Sequence, residues 1–408
     1  MNDNAKSSFY DRFLAPWPLF AGVCAAFVAC CIAGHWTTRH NWFANFDRFH
    51  PYISIGTLFY PTASQVRAIG KSRLDPDKIA VVIGGSSIMY GAGQRAEKAW
   101  HRELQTLLGD RFQVIDFGAN GAQLQEFGGT AAEILLREHP RLIFVSDSAA
   151  CIPIVGPDGG ERYRYFFWDA YHKNLLTGDD DRDARLTELA AKAADQEASL
   201  ELQRRMKLDS VMYFHDLWTT VAHEQCATLW QPQVGPTFTK PRKLYADPDA
   251  EPPLERRYLP AARAVAMRQL RREIELGRAR TGVSYVHDCD GTRPDESEKR
   301  AKLQREIRES MPSALRQRTV LALMRRSPFY VDQLDASERT VYDAQFKAAA
   351  HLLEHADFTP VDIGRDYSQA AFCDYCHLTE EGGRRLAHDL APTIGALARR
   401  LGYLGDQP

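Results

Sequence analysis

The sequence predicts an α/β protein built on a doubly wound parallel sheet, and three observations carry that expectation. Short apolar runs of strand length alternate with amphipathic helical stretches from Ile79 to Val145, giving strand, helix, strand, helix, strand in about 70 residues. The same rhythm returns toward the C-terminus. The first strand also ends in small residues, Gly84-Gly85-Ser86-Ser87, at the edge where parallel sheets place their sites. The chain has 408 residues, enough for a full α/β core plus a second region.

Residues 1–38 read as a tail and a membrane anchor. No charged side chain occurs from Phe13 to Gly34, and Trp17 and Trp36 flank the run. About 20 helical residues span the roughly 30 Å hydrocarbon core of a bilayer, and tryptophans favour its interfaces. A cleaved signal peptide is the other reading, but no A-x-A site closes the run. A lipoprotein site at Phe27-Val28-Ala29-Cys30 fits poorly in its first position. Lys6 and Arg12 before the run balance Arg39 and Arg48 after it, so positive charge does not set the orientation. A short tail usually stays in the cytoplasm. By that default the bulk of the chain lies outside a bacterial-type inner membrane, periplasmic or extracellular, on a single-pass anchor.

Residues 39–78 read as an aromatic linker and a helix, with Pro61 near its start. The main domain is expected over 79–402. Its first half comprises a strand at Ile79–Ile83, a helix at Ala96–Leu108 stopped by Gly109, a strand at Phe112–Phe117, a helix at Leu124–Glu138 and a strand at Leu142–Val145. An insertion is expected at about 153–255, with a packed cap helix near Asp183–Lys207 (Leu186, Leu189, Ala193, Leu200, Leu202). Then come a helix near Leu259–Arg280, a strand at Val283–His287 and a second, polar and helical insertion at about 290–335. The last cycle is a helix near Ser337–His355, a strand at Thr359–Ile363 and a helix from Thr379 onward.

Composition excludes some functions. The chain holds 51 basic and 53 acidic residues, so no overall field attracts nucleic acid. Of eight cysteines, three lie in the apolar run. The other five (Cys151, Cys226, Cys289, Cys373 and Cys376) cannot all pair within one chain.

The stretch Gly85-Ser86-Ser87-Ile88-Met89-Tyr90-Gly91 has two readings. A serine-rich turn can cap a helix. Alternatively, a serine at the carboxyl end of a parallel strand can expose its hydroxyl and aim backbone N–H groups at an oxyanion. No Gly-Lys-Ser/Thr continuation supports a phosphate cradle. The partner base need not be near in sequence. Near the C-terminus, Asp374 and His377 stand three apart just before a helix, in Phe372-Cys373-Asp374-Tyr375-Cys376-His377-Leu378-Thr379. The carboxylate would orient the imidazole, leaving its other nitrogen to take the serine proton.

This pair of blocks resembles the SGNH (GDSL-like) hydrolase superfamily. Gly85, Ser87 and Gly91 match its first block, with Ser86 where the family often has aspartate. Asp374 and His377 match the last block, and Gly121 in "VIDFGANGAQ" looks like the second-block glycine. The resemblance implies a three-layer αβα, flavodoxin-like sheet with helical insertions. It implies Ser87 as nucleophile, His377 as base, Asp374 as its orienter, and backbone N–H groups of Ser87 and Gly121 in the oxyanion hole. It requires no metal and no organic cofactor. The implied activity is that of an esterase or acyltransferase, and with the anchor the substrate would be an acylated cell-envelope saccharide or lipid. Envelope biosynthesis partners are not specified.

One departure matters. The family's third block carries an oxyanion-binding asparagine, whereas this chain reads Val145-Ser146-Asp147-Ser148-Ala149-Ala150. Counting from Pro140, Ala150 takes the asparagine's place. Ser146, Ser148 and Asn120 are possible substitutes, and failing them a non-catalytic envelope assembly protein becomes the alternative.

Cys373-x-x-Cys376-His377 is also the pattern of covalent c-type haem attachment, a third reading, while a disulfide at these cysteines is the plainer one. A zinc site lacks a second CxxC or HxxH pair. "YRYFFWDAYH" (Tyr163–His172) could line a sugar or acyl pocket or pack as core. His287 and Asp288 end the strand at 283–287 and read as a structural pair. His101 and His139 read as surface residues.

Overall fold

The computed structural model describes residues 16–40, 63–95, 98–119, 121–152, 164–192, 260–281 and 294–404. Five strands, β1 (Ile79–Ile83), β2 (Phe112–Asp116), β3 (Leu142–Ser148), β4 (Thr319–Met324) and β5 (Thr359–Ile363), form one sheet in the order β2-β1-β3-β4-β5. Every adjacent pair is parallel. The three central strands are short, mostly apolar and buried runs whose successive side chains enter opposite faces.

That alternation creates two cores. Ile79, Val81 and Ile83 of β1, Ile143 and Val145 of β3, and Val320, Ala322 and Met324 of β4 share one core. Ala80, Val82, Leu142, Phe144, Leu321 and Leu323 belong to the other. The helices are α1 (Pro16–His40), α2 (Ala63–Arg73), α3 (Trp100–Leu108), α4 (Phe127–Glu138), α5 (Arg164–His172), α6 (Asp180–Lys192), α7 (Pro260–Thr281), α8 (Pro294–Glu309), α9 (Ala336–Glu354) and α10 (Glu380–Arg400). Trp100 and Leu104 of α3 join Leu386, Leu390 and Ile394 of α10 in the first core. Residues of α2, α4, α5, α7, α8 and α9 fill the second. The domain is therefore an α/β sheet with helices on both faces.

Most expected elements stand where the sequence put them, several with shorter starts. The helix expected from Ala96 begins at Trp100 and that from Leu124 begins at Phe127. The strand expected to stop at Val145 continues to Ser148. The cap helix is described only as Asp180–Lys192, and the strand expected at 283–287 lies outside the described residues.

The segment 290–335 needs correction, because it is not only a helical insertion. It contains β4, reached through α8 and a one-turn helix at Ser313–Arg316. The six residues Thr319–Met324 are fully buried between β3 and β5. A run of five apolar residues after Thr319 shows no period-2 alternation when both faces are covered, and arginines on either side disguised it as part of a polar helix.

Helix α1 covers the uncharged run. Trp17, Leu19, Phe20, Val23, Val28 and Ile32 are all exposed on it. Its side chains are described only from Trp17 to Ala29 and at Ile32, and among the described residues no helix is long and apolar enough to cross a membrane.

Candidate active site

The strand order reverses direction at β1, which has β2 on one side and β3 on the other. Connections leaving β1 and β3 diverge there and open a crevice at the carboxyl edge. The turn after β1 occupies that edge. Gly85 has φ +98°, and a Cβ there would collide with Asp147 Oδ1 and stand 2.6 Å from Ser146 Oγ. Only glycine fits both the conformation and the space. Tyr90 N–H donates to Ser86 O at 3.0 Å and Ala92 N–H to Ser87 O at 2.9 Å, coiling the turn tightly. Trp100 Nε1–H donates to Met89 O at 2.7 Å and pins it to α3.

The acid–base pair comes from a five-residue loop closed by Cys373 N–H donating to His377 O at 2.9 Å. Asp374 Oδ1 accepts from the backbone N–H groups of Cys376 and His377, both at 2.9 Å. Its Oδ2 accepts from His377 Nδ1 at 2.7 Å. Because an ionised carboxylate only accepts, Nδ1 carries the proton and Nε2 of the neutral ring is left as the acceptor. Ser87 Oγ lies 2.7 Å from that Nε2. Helix α10 starts directly afterwards, capped by the Thr379 hydroxyl, which accepts from Gly382 N–H. Arg95, beyond the serine turn, grips Glu380 in the helix's first turn at 2.6 Å.

The electrostatics follow from burial and partners. Burial pulls the imidazole of His377 toward its neutral form, but the hydrogen bond to Asp374 and the neighbouring Cys376 outweigh it and push its pKa up to about 10. Burial raises the pKa of Asp374, but the hydrogen bonds from His377 and the backbone hold it below the usual carboxylate range. The three groups form a hydrogen-bonded line from hydroxyl to carboxylate, the geometry of a proton relay.

Asp147, at the end of β3, is a site residue that the sequence did not announce. Its Oδ1 accepts from Ser86 N–H at 2.7 Å and its Oδ2 from Ser86 Oγ at 2.6 Å. Burial raises its pKa against the opposing pull of Ser86 and Arg326. Ser86 stands where the resembling family often has aspartate, and here the carboxylate meets that position from the neighbouring strand. A second support lies behind the Asp374–His377 loop. Part-buried Arg326 donates to Glu273 of α7 at 2.9 and 3.1 Å. Tyr375 Oη–H donates to the same Glu273 at 3.0 Å, and Ser327 N–H donates to Tyr375 O at 3.0 Å. Tyr375, between Asp374 and Cys376, is thus plugged into a polar socket. No spacing signal links α7 to this loop in the sequence.

Gly121 is exposed with φ +73°. Its turn is tied to the serine turn by Ala119 N–H donating to Gly85 O at 3.0 Å. Ser148 Oγ–H donates to Ala149 O at 3.0 Å, and Ser146 is fully buried. Asn120 lies outside the described residues. Ala150 is buried beside a cavity of about 10 Å³ that Glu273, Arg326 and Tyr342 also line.

Three further expectations meet the structure. The described cysteines, Cys24, Cys151, Cys373 and Cys376, form no disulfide with one another. Phe166, Phe167 and Trp168 are buried and belong to the cores, not to an open pocket. His101 and His139 are buried, not surface residues. His101 Nδ1 lies 3.3 Å from buried Asp116 Oδ2, and His139 Nε2 lies 3.0 Å from the backbone carbonyl of Asp75.

A serine, an imidazole and a carboxylate thus meet in line at the switch point of a doubly wound sheet. No protein-family model, curated protein or solved structure matches the chain, so the reading of this site rests on its own geometry.

Proposed function

We propose that the protein is a serine-dependent hydrolase or acyltransferase of SGNH-like type that acts on O-acyl esters. The observation that carries this is the continuous line Ser87 Oγ, His377 Nε2, His377 Nδ1, Asp374 Oδ2, with both contacts at 2.7 Å. In the mechanism, His377 Nε2 takes the hydroxyl proton as Ser87 Oγ attacks the acyl carbon. Asp374 holds the ring and stabilises the imidazolium that forms. The backbone N–H groups of Ser87 and Gly121 are assigned to the developing oxyanion. His377 then returns the proton to the leaving alcohol. Water or an acceptor hydroxyl, deprotonated in the same way, releases the acyl group from Ser87. The relay requires no metal or organic cofactor.

The exposed apolar side chains of α1 support a single-pass membrane anchor. An envelope-facing domain suits an acylated saccharide or lipid as substrate. A non-catalytic envelope assembly role is the second reading, favoured by the methyl group of Ala150 where the resemblance places an oxyanion donor. The c-type haem reading competes for His377, whose two ring nitrogens already face Ser87 and Asp374.

The test is labelling of the full chain with a fluorophosphonate probe. Wild type should label, Ser87→Ala should not, and Ser86→Ala should retain part of the signal. Equal labelling of wild type and Ser87→Ala removes the catalytic assignment.

A further inference from the structure

Three metal-binding side chains meet on the Nδ1 edge of the imidazole, away from Ser87. Cys376 Sγ lies 3.9 Å from His377 Nδ1, and Asp374 Oδ2 lies 2.7 Å from the same nitrogen. One donor atom from each residue falls within 4.8 Å of the other two. Sequence spacing offered zinc two cysteines and one histidine with no further pair; the fold supplies a carboxylate instead. We propose that Asp374, Cys376 and His377 form a binding site for Zn²⁺ or a similar thiophilic divalent cation, and that its occupancy switches the serine relay off.

The geometry is close to what a tetrahedral ion needs. With Zn–N and Zn–O near 2.0–2.2 Å and Zn–S near 2.3 Å, neighbouring donors stand about 3.4–3.6 Å apart. The Sγ to Nδ1 distance already exceeds that slightly, and Oδ2 must retreat from Nδ1 by about 0.7 Å. A sulfur, nitrogen and oxygen donor set suits zinc better than magnesium or calcium, which take oxygen ligands. The side chains of His377 and Asp374 are 19% and 33% exposed, so an ion can enter and water can fill a fourth position. Arg326, whose charge acts on Cys376, is already paired with Glu273 and adds little net repulsion.

The chemical consequence is a change of tautomer. The relay needs the proton on Nδ1 and the lone pair on Nε2. A zinc ion on Nδ1 takes the lone pair there, so the ring proton must reside on Nε2. The Cys376 thiol binds as thiolate and gives its proton to solvent, and where the ring is imidazolium its Nδ1 proton leaves as well. Nε2 then donates instead of accepting and cannot take the proton of Ser87. This effect on turnover rests on the hydrolase reading above; the ion site itself does not.

Cobalt(II) separates the two. Added to the full chain, Co²⁺ should give a near-ultraviolet thiolate-to-cobalt charge-transfer band that Zn²⁺ competes away. Cys376→Ser should lose the band and weaken Zn²⁺ binding by at least about tenfold, the smallest loss that even an outer partner of a metal site produces. On the unaltered protein, Zn²⁺ should shield Cys376 from iodoacetamide, a readout that survives if the variant misfolds. No band, a band that persists in Cys376→Ser, or no shielding overturns the site. Fluorophosphonate labelling of Ser87 should fall with Zn²⁺ and recover with a chelator. Labelling indifferent to bound Zn²⁺ overturns the switch. A metal-free protein that never labels sinks the hydrolase reading and the switch with it, while the cobalt band still decides the site.

Discussion

Asp374 divides its two oxygens between the backbone and the imidazole, so its substitution should disturb both orientation and protonation. In Asp374→Asn, the side-chain amide can donate to Nδ1, which favours the wrong tautomer. Steady-state kinetics should record a fall in kcat of about 10⁴-fold. The rising limb of the pH profile should also move to lower pH, since the partner that raises His377 is gone. In wild type, the neutral base form of His377 gains population as pH rises above the ordinary histidine value of 6.5 toward about 10. Turnover should therefore climb on the alkaline side, and a plateau already reached at pH 7 would contradict that. Stability follows the signs of the two shifts. The raised His377 contributes fully below 6.5 and loses its contribution as pH rises through its folded value. The lowered Asp374 contributes fully above 3.8 and loses its contribution as pH falls. The pair's contribution is complete between those two values, which a series of denaturant titrations across pH checks. Ala150 is a separate case. A family-like asparagine there faces a cavity of only about 10 Å³, so Ala150→Asn should overpack and cost about 1–3 kcal/mol without raising turnover.

At the scale of elements, the Asp374–His377 loop depends on α7 as well as on its own hydrogen bonds. Removing the charge in Arg326→Met leaves the part-buried Glu273 beside Tyr375 without its cation. Loss of one partner of a fully buried pair costs about 3–5 kcal/mol, and this part-buried pair should cost less. The denaturation midpoint should fall, and kcat should fall further than KM rises as the loop loosens. The serine turn and the Asp-x-x-His loop were legible in the sequence because local chemistry writes them: glycine where φ is positive, an aspartate two and three residues before the N–H groups it accepts. Asp147 was not legible as a clamp. Its partnership with Ser86 is a contact between neighbouring strands 61 residues apart, and no local pattern encodes which two strands adjoin. Strand β4 stayed hidden for a different reason. Burial on both faces erases the alternation by which strands are recognised, and Arg318, Arg325 and Arg326 at its ends belong to ion pairs and caps that a sequence shows only as polarity.

At the scale of the whole molecule, the anchor expected in residues 1–38 corresponds to a helix that presents Trp17, Phe20 and Val23 to its surroundings. If it spans a bilayer as proposed, a reporter fused after Asp77 should be active only when the reporter works outside the cytoplasm. Recovery of a soluble chain beginning near residue 35 would mean a cleaved leader instead. The site itself spans most of the sequence, since Ser87 and His377 are 290 residues apart. Ser87 follows the first strand, while the base sits in the loop between the last strand and the last helix. A polypeptide emerging from the ribosome N-terminus first therefore displays its serine long before its base exists. Throughout that interval the hydroxyl lacks its imidazole partner and is no better a nucleophile than any unactivated serine. On the proposed hydrolase reading, synthesis order acts as a safety catch: a half-made chain lacks the relay, which is complete only once the loop carrying His377 has joined the sheet.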